Sequence, residues 1–513
     1  MNSPAEKIEM PFSSSVKVFA ERNRLDLGIC LTLTALAAVL RFWHLTDLGL
    51  THFDEGSYAM TGRWLATFGK EGWIYQSGHA PGLFPTLLGL FFLIFGIKDF
   101  VAIAVSALTG SLTVGLIYWV GRGQFNRKAG VLAALFLTTA EYHLMYSRFA
   151  LTDATFTLLF WASLASLLQG LVRNERRWFI IGGVLTGLCW NTKYHGFFPL
   201  LILGLWLGMV ALMRRRKHLV PPRVRWSNFG IAALLAGLIY LPWFLFVQFS
   251  VGYAAILQAQ ADHSIGQSAI ILTPPATIYF YLTQWLSPAL LLAALLGSIM
   301  ILSRPRAETL FSLFATALFT IAAMFYTSFP RLLLPVVPGL CLFAAHGVER
   351  ISRAKSLVWL LAAVILAWNM MGAHSVLSLR TDAYRQAAAY LQKFDAPVFT
   401  QMSKNFYFYE KEKSVEMRWH EPDTLDAMMQ NFPAVVVAVD PIIHRFPQVE
   451  RWLEKHRRHL RLAHEIPIHM YEPVYYQGFD PAQRDRRPLA LAPFRPGQAK
   501  IEIYRVTNER EQK

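Results

Sequence analysis

Charge is scarce in this chain. Of its 513 residues only 16% are Asp, Glu, Lys or Arg, against about 25% in an ordinary soluble domain. With 54% hydrophobic residues and a mean hydropathy of +0.34, that shortage excludes a plain water-soluble globule. Apolar segments recur at close to the ~20 residues that cross a hydrocarbon core, so the fold class expected is a polytopic α-helical membrane protein. Cysteine is rarer still, with Cys30, Cys189 and Cys341 only. All three fall in or beside apolar segments and read as small packing residues. Neither a disulfide framework nor a metal-ligand spacing is present in the sequence. Low-complexity tracts, internal repeats and nucleic-acid-binding motifs are missing too, and no nucleic-acid partner is expected.

Acidic residues are also outnumbered, 33 against 49 basic ones, for a formal net charge of +16. In a membrane protein the distribution matters more than the sum. Eleven spans are expected, near residues 25–43, 100–120, 130–146, 154–172, 179–191, 196–213, 228–248, 278–302, 309–327, 332–348 and 356–373. One set of alternate loops is rich in Lys and Arg: the tail with Lys7, Lys17, Arg22 and Arg24, then "GRGQFNRKAG", "RNERR", "RRRKHLVPPRVR", "SRPR" and "ERISRAK". The opposite short loops hold isolated cations, Arg148, Lys193 and Arg331. Positive charge stays in the cytoplasm, so residues 1–24 are expected there. The first apolar run lacks a small-residue cleavage site behind it and reads as an uncleaved span. The membrane region is expected over 25–373, with a long outer loop at 44–99. Residues 374–513 are more polar and alternate strand-like runs ("PAVVVAVD", "IEIYRV") with helical patterns, so a small α/β domain on the outer side is expected.

The same orientation places acids at the outer ends of spans, where a carboxylate beside lipid is expensive and marks function. Asp54 and Glu55 stand in "THFDEGSYAM", and Asp153 stands in "YSRFALTDATF". The isolated cations lie at the same side. Carboxylates can take a proton from a hydroxyl or hold a cation, and fixed cations suit a phosphate. Acids, cations and greasy walls together fit a substrate with a phosphate head and a lipid tail. The plainer alternatives are helix caps for Asp54 and Asp153 and interface anchors for Arg148, Lys193 and Arg331. Trp43, Trp73, Trp243 and Trp285 read as an interfacial belt, and Arg214–Lys217 as a topology determinant.

These stretches, with "FPRLLLPVVPGLCLFAAHGVERI" further on, resemble the C-type glycosyltransferases, in the branch of the protein O-mannosyltransferases and the bacterial lipid A aminoarabinose transferase. The resemblance runs over about residues 25–350 and does not reach the C-terminal domain. It implies a membrane glycosyltransferase moving a sugar, with inversion, from a polyprenyl-phosphate donor to a hydroxyl on a protein, lipid or glycan. Asp54 would be the catalytic base and Glu55 its supporting partner, ahead of Tyr58. Asp153 would be the second acid. Arg331 would face the lipid phosphate, as would Lys193 in "NTKYHG", with Arg148 beside them. The chain departs from the family where "SGHAPGLFP" has His79 in place of a Lys, and where "FVAIAVSAL" lacks an early Arg. His263, in the outer loop stretch "QAQADHSIGQ", is a candidate substrate-loop residue. His52, His143 and His195 also fall near the outer side at irregular spacings, so a divalent metal is left open and no ligand set is assigned. Short loops favour a bacterial inner membrane with a periplasmic site. A transporter or flippase of a lipid-linked sugar is the alternative, and a binding scaffold built on the outer domain is a third reading.

Overall fold

The structure, a computed structural model, describes residues 23–73, 80–213, 226–258, 286–326, 330–351, 355–410, 414–417, 420–432, 434–439, 447–468 and 500–506. Helices dominate the first three quarters. They are α1 (Arg24–Phe42), α2 (Phe53–Ala66), α3 (Leu83–Phe95), α4 (Asp99–Gln124), α5 (Arg127–Thr139), α6 (Glu141–Tyr146) and α7 (Thr152–Arg173), then α8 (Arg176–Trp190), α9 (Phe198–Met213), α10 (Trp226–Ser250), α11 (Pro288–Ser303), α12 (Ala307–Tyr326), α13 (Val336–Ile351) and α14 (Lys355–Leu377). Among the described residues five helical stretches are long and apolar enough to cross a membrane: Arg24–Asp47, Asp99–Gln124, Thr152–Arg173, Trp226–Ser250 and Ser356–Leu377. Shorter apolar helices lie beside them, among them Phe198–Leu212 and Ala307–Ala323. Leucines at high exposure on α1, α10 and α11 (Leu31, Leu234, Leu292) face outward, as lipid-facing side chains do.

Two of the expected spans are interrupted. The third, 130–146, breaks at Ala140, whose extended backbone (φ −61°, ψ 108°) separates α5 from α6. The tenth begins as a short 3₁₀ turn, Pro330–Leu333, before α13. Pro330 and Pro335 have no N–H to give to a regular helix at this point. The loop helix α2 also differs from expectation. Its pattern suggests a half-buried helix in the interface, yet Phe53 to Gly62 are buried without a break. Packing on two sides explains this: α3 lies against Gly62, and the C-terminal segment lies against Gly56. The belt tryptophan Trp73 is edge-on to Tyr407, with centroids 5.0 Å apart, and Trp285 lies outside the described residues.

The C-terminal part adds α15 (Ala383–Leu391), β1 (Val398–Thr400), α16 (Ser403–Glu410), β2 (Ser414–Glu416), α17 (Pro422–Gln430), β3 (Val436–Val439), α18 (Pro447–His456), β4 (Leu460–Pro467) and β5 (Lys500–Val506). The strands form one sheet in the order β2-β1-β3-β5-β4. β1 is parallel to β2 and β3, and β5 runs antiparallel to β3 and β4. One face closes over a small core of Phe399, Met417, Leu425, Val437, Val449 and Trp452. The other, through Val398, Val436 and Ile503, joins the core of the helical part.

Small residues set the closest helix crossing. A Cβ added at Gly297 of α11 would strike the Phe343 carbonyl of α13 and lie 3.0 Å from the Gly347 nitrogen. Neither backbone can yield, so the helices pack main chain on main chain, as small residues allow in membranes. G297V is expected to force α11 off α13 and to lower the detergent melting temperature markedly. L295A, whose parent leucine is 58% exposed, is expected to leave it nearly unchanged.

Candidate functional site

The site begins with a short strap, residues 44–52, between α1 and α2. His52 takes the N-cap of α2, and its Nδ1 accepts from the Asp54 amide at 3.1 Å. Glu55 completes a capping box. Its Oε2 accepts from the amides of Thr51 (2.8 Å) and His52 (2.7 Å) and from the Thr51 hydroxyl (3.3 Å). Its Oε1 accepts from the Ala150 amide at 2.7 Å. One carboxylate thus ties the strap to the turn before α7. Burial pushes the Glu55 carboxyl up to about 7 from an ordinary 4.5, against the pull of those donors. Glu55 is engaged entirely with main chain and the Thr51 hydroxyl.

Asp54 is spared the capping task. Its Oδ2 accepts from Arg331 Nη2 at 2.8 Å, bringing together residues 277 positions apart. Asp153 occupies the first turn of α7, where the helix N-terminus favours an acid. Its Oδ1 accepts from Lys193 Nζ at 2.5 Å, while Oδ2 has no hydrogen-bond partner among the described residues. Lys193 stands in the turn after α8, its amide bonded back to the Cys189 carbonyl at 3.2 Å. The ammonium lies 5.7 Å from the Phe156 ring centre. The Asp54 and Arg331 side chains are 12% and 18% exposed, against 1% and 11% for Asp153 and Lys193.

The two ion pairs form one electrostatic unit. Burial works against the Arg331 charge, but Asp54, Asp153 and Tyr58 outweigh it and hold the guanidinium firmly protonated. Burial lowers the Lys193 ammonium despite Asp153 beside it. Tyr58 is pushed well up by burial and then by the Asp54 charge. Two acids, two cations and a phenol therefore lie within electrostatic reach of one another, carried by α2, α7, the turn after α8 and the turn before α13.

The structure does not bring every candidate there. Arg148 Nη1 donates to the carbonyls of Leu40 (3.2 Å), Arg41 (3.0 Å) and Trp43 (2.7 Å). Through Nη1 it caps the end of α1, whose last carbonyls have no helical donors. His79 and His263 lie outside the described residues. The three remaining histidines have separate tasks. His52 caps α2, His143 Nδ1 meets Arg41 Nη2 at 2.9 Å, and His195 is edge-on to Phe156 with centroids 4.8 Å apart. No group of three or more His, Cys, Asp and Glu suited to a metal ion gathers among the described residues. Arg41, fully buried within α1, was passed over in the sequence, although an arginine inside an apolar run is a signal in itself.

Residues 79–243 match the family model described as dolichyl-phosphate-mannose-protein mannosyltransferase. A polyprenol-phosphate-mannose–protein mannosyltransferase of Mycolicibacterium smegmatis is 27% identical over 287 residues, 48% of this chain and 54% of that protein. The chain thus spans about half the length of the curated relatives it matches. The crystal structure of ArnT from Cupriavidus metallidurans bound to undecaprenyl phosphate superposes with a TM-score of 0.63 at 15% identity, over 94% of this chain and 98% of that one. The archaeal oligosaccharyltransferase AglB from Archaeoglobus fulgidus, in complex with an inhibitory peptide and a dolichol-phosphate, gives 0.60 at 11% identity, over 82% of this chain and 70% of that one.

Glu55 makes stability depend on pH. Its folded value of about 7 lies above the ordinary 4.5, so between those limits the folded chain binds more protons than the unfolded one. The contribution of this group is full below pH 4.5, falls as pH rises to about 7, and is level above. Melting temperatures measured across that window should carry this downward component in the wild type. E55Q should lack it, and should also be less stable, because an amide presents a donor where donors already converge.

Proposed function

We propose that this chain, a membrane protein with the fold of the C-type glycosyltransferases, transfers a sugar from a polyprenyl-phosphate donor to a hydroxyl acceptor. The observation that supports this most is the recess itself, where Asp54 and Asp153 meet Arg331 and Lys193 at 2.8 and 2.5 Å. The anions suit an acceptor hydroxyl and the cations suit a phosphate. The likenesses to proteins named for polyprenol-phosphate-mannose and dolichyl-phosphate-mannose point to the same donor class.

Asp54 is the base in this reading. Without donor, Arg331 neutralises it. A phosphate offers the guanidinium a fork-matched anionic partner, and as the lipid phosphate enters, Arg331 turns to it and leaves Asp54 free to accept a proton. Lys193 supplies the second positive charge, with Asp153 holding the acceptor beside it. The acceptor oxygen forms its bond to the anomeric carbon as its proton passes to Asp54. The bond from that carbon to the phosphate oxygen breaks, and the electron pair leaves with the lipid phosphate. Arg331 and Lys193 stabilise the charge growing there. Attack opposite the leaving phosphate inverts the anomeric centre, as the family resemblance implies.

The sparse cations of the loops holding Lys193 and Arg331, set against the basic alternate loops, support eleven spans with the site facing away from the cytoplasm. In a bacterium that is the periplasmic side of the inner membrane. By the same reasoning residues 1–24 are cytoplasmic, 25–373 form the transmembrane transferase region, and 374–513 form a periplasmic α/β domain.

D54N is the direct test. With purified protein and a polyprenyl-phosphate sugar, turnover should fall by roughly 10² or more, the usual yield of a positioned base. R331A should raise the donor KM as well as lower turnover. Full turnover in D54N would remove Asp54 as base.

A further inference from the structure

The strap that carries Asp54 takes much of its main-chain hydrogen bonding from the far end of the sequence. Arg385 donates to the carbonyls of Thr46 (3.0 Å) and Leu48 (3.5 Å). The Thr381 amide donates to the Asp47 carbonyl at 3.3 Å. The Gly49 amide donates to the Thr381 hydroxyl at 3.2 Å, and that hydroxyl lies 3.4 Å from the Gly49 carbonyl. Tyr409 accepts from the Leu50 amide at 3.0 Å, and Asn405 Nδ2 donates to the Leu50 carbonyl at 3.3 Å. Only at Thr51 and His52 does Glu55 take over.

Asp99, at the start of α4, fastens this arrangement to the membrane helices. Its Oδ2 accepts from Arg385 Nη1 and from the Tyr409 hydroxyl, each at 2.9 Å. The Tyr409 hydroxyl therefore uses both capacities, donating to Asp99 and accepting from Leu50. Next to it α16 lies directly on α2. A Cβ at Gly56 would come within 2.7 Å of the Asn405 nitrogen and the Lys404 carbonyl carbon. The Lys404 ammonium sits 4.5 Å from the Phe53 ring centre, and Arg63 donates to the Phe408 carbonyl at 3.1 Å.

We infer that Tyr409 and Arg385 are positioning residues for Asp54, so that the acid-bearing helix reaches its working place only when α15 and α16 are docked on the strap. This rests on the glycosyl-transfer reading for its chemistry, but the anchoring itself can be measured without it. A strap stripped of these partners would turn its amides and carbonyls to water, and α2 would follow it. A displacement of about 1 Å at a reacting group lowers turnover by roughly 10². No contact to substrate is assigned to either residue.

The test uses the full chain in detergent or nanodiscs. Y409F deletes one oxygen and keeps the ring. Amide hydrogen exchange over Thr46–Phe53 should accelerate about tenfold or more, with α4 beyond its first turn unchanged. With a polyprenyl-phosphate sugar, kcat should fall about tenfold while the donor KM stays within about twofold. R385Q should act in the same direction, and R385K should restore part of the loss. Unchanged exchange over the strap in both Y409F and R385Q overturns the inference, as does faster exchange with wild-type kcat. D54N in the same assay separates the two readings. If it turns over normally Asp54 falls as the base, and the exchange result alone then supports or overturns the anchoring.

Discussion

Glu55 accepts four hydrogen bonds at a position water does not reach, and the geometry of the whole recess hangs on those bonds. Three come from the strap before α2 and one from the turn before α7. Water cannot replace them at this buried position. With Glu55 in place, Asp54 and Asp153 belong to one rigid corner even though 99 residues separate them in sequence. Burial nevertheless opposes the charge on the carboxylate that makes the tie, pushing it up to about 7.

On that corner each acid meets one cation, and the two pairs are not equivalent. Asp153 is the most enclosed of the four, while Asp54, Lys193 and Arg331 each keep a little exposure, and Lys193 lies near the Phe156 ring. An open pair can exchange partners when an anion arrives. An enclosed pair keeps its geometry, because separating it would leave a buried charge alone.

Much of the helical part was legible in the sequence because apolar runs of span length are a strong, local signal: α1, α4, α7 and α10 all lie where the runs do. The acids were legible for the same reason, as charges at the ends of such runs. What the chain hid is three-dimensional. Asp54 and Glu55 are neighbours in sequence, yet on a helix they point about 100° apart, one toward Arg331 and the other toward the strap. Arg148 stands five residues before Asp153 and still works elsewhere, because its long side chain reaches the carbonyls ending α1. The partners of Asp99 lie 286 and 310 residues away, beyond any periodicity. The break at Ala140 is marked in sequence only by the polar residues around it, Thr138, Thr139, Glu141 and His143, within an otherwise apolar run.

The link from Tyr409 and Arg385 to the strap has a consequence for biosynthesis. The loop holding Asp54 leaves the ribosome early, whereas the groups that bind its backbone are made after the last apolar helix. Until those late residues have been synthesised, the loop holding Asp54 lacks these hydrogen bonds. Incomplete translation products therefore lack the bonds by which Tyr409 and Arg385 hold the strap.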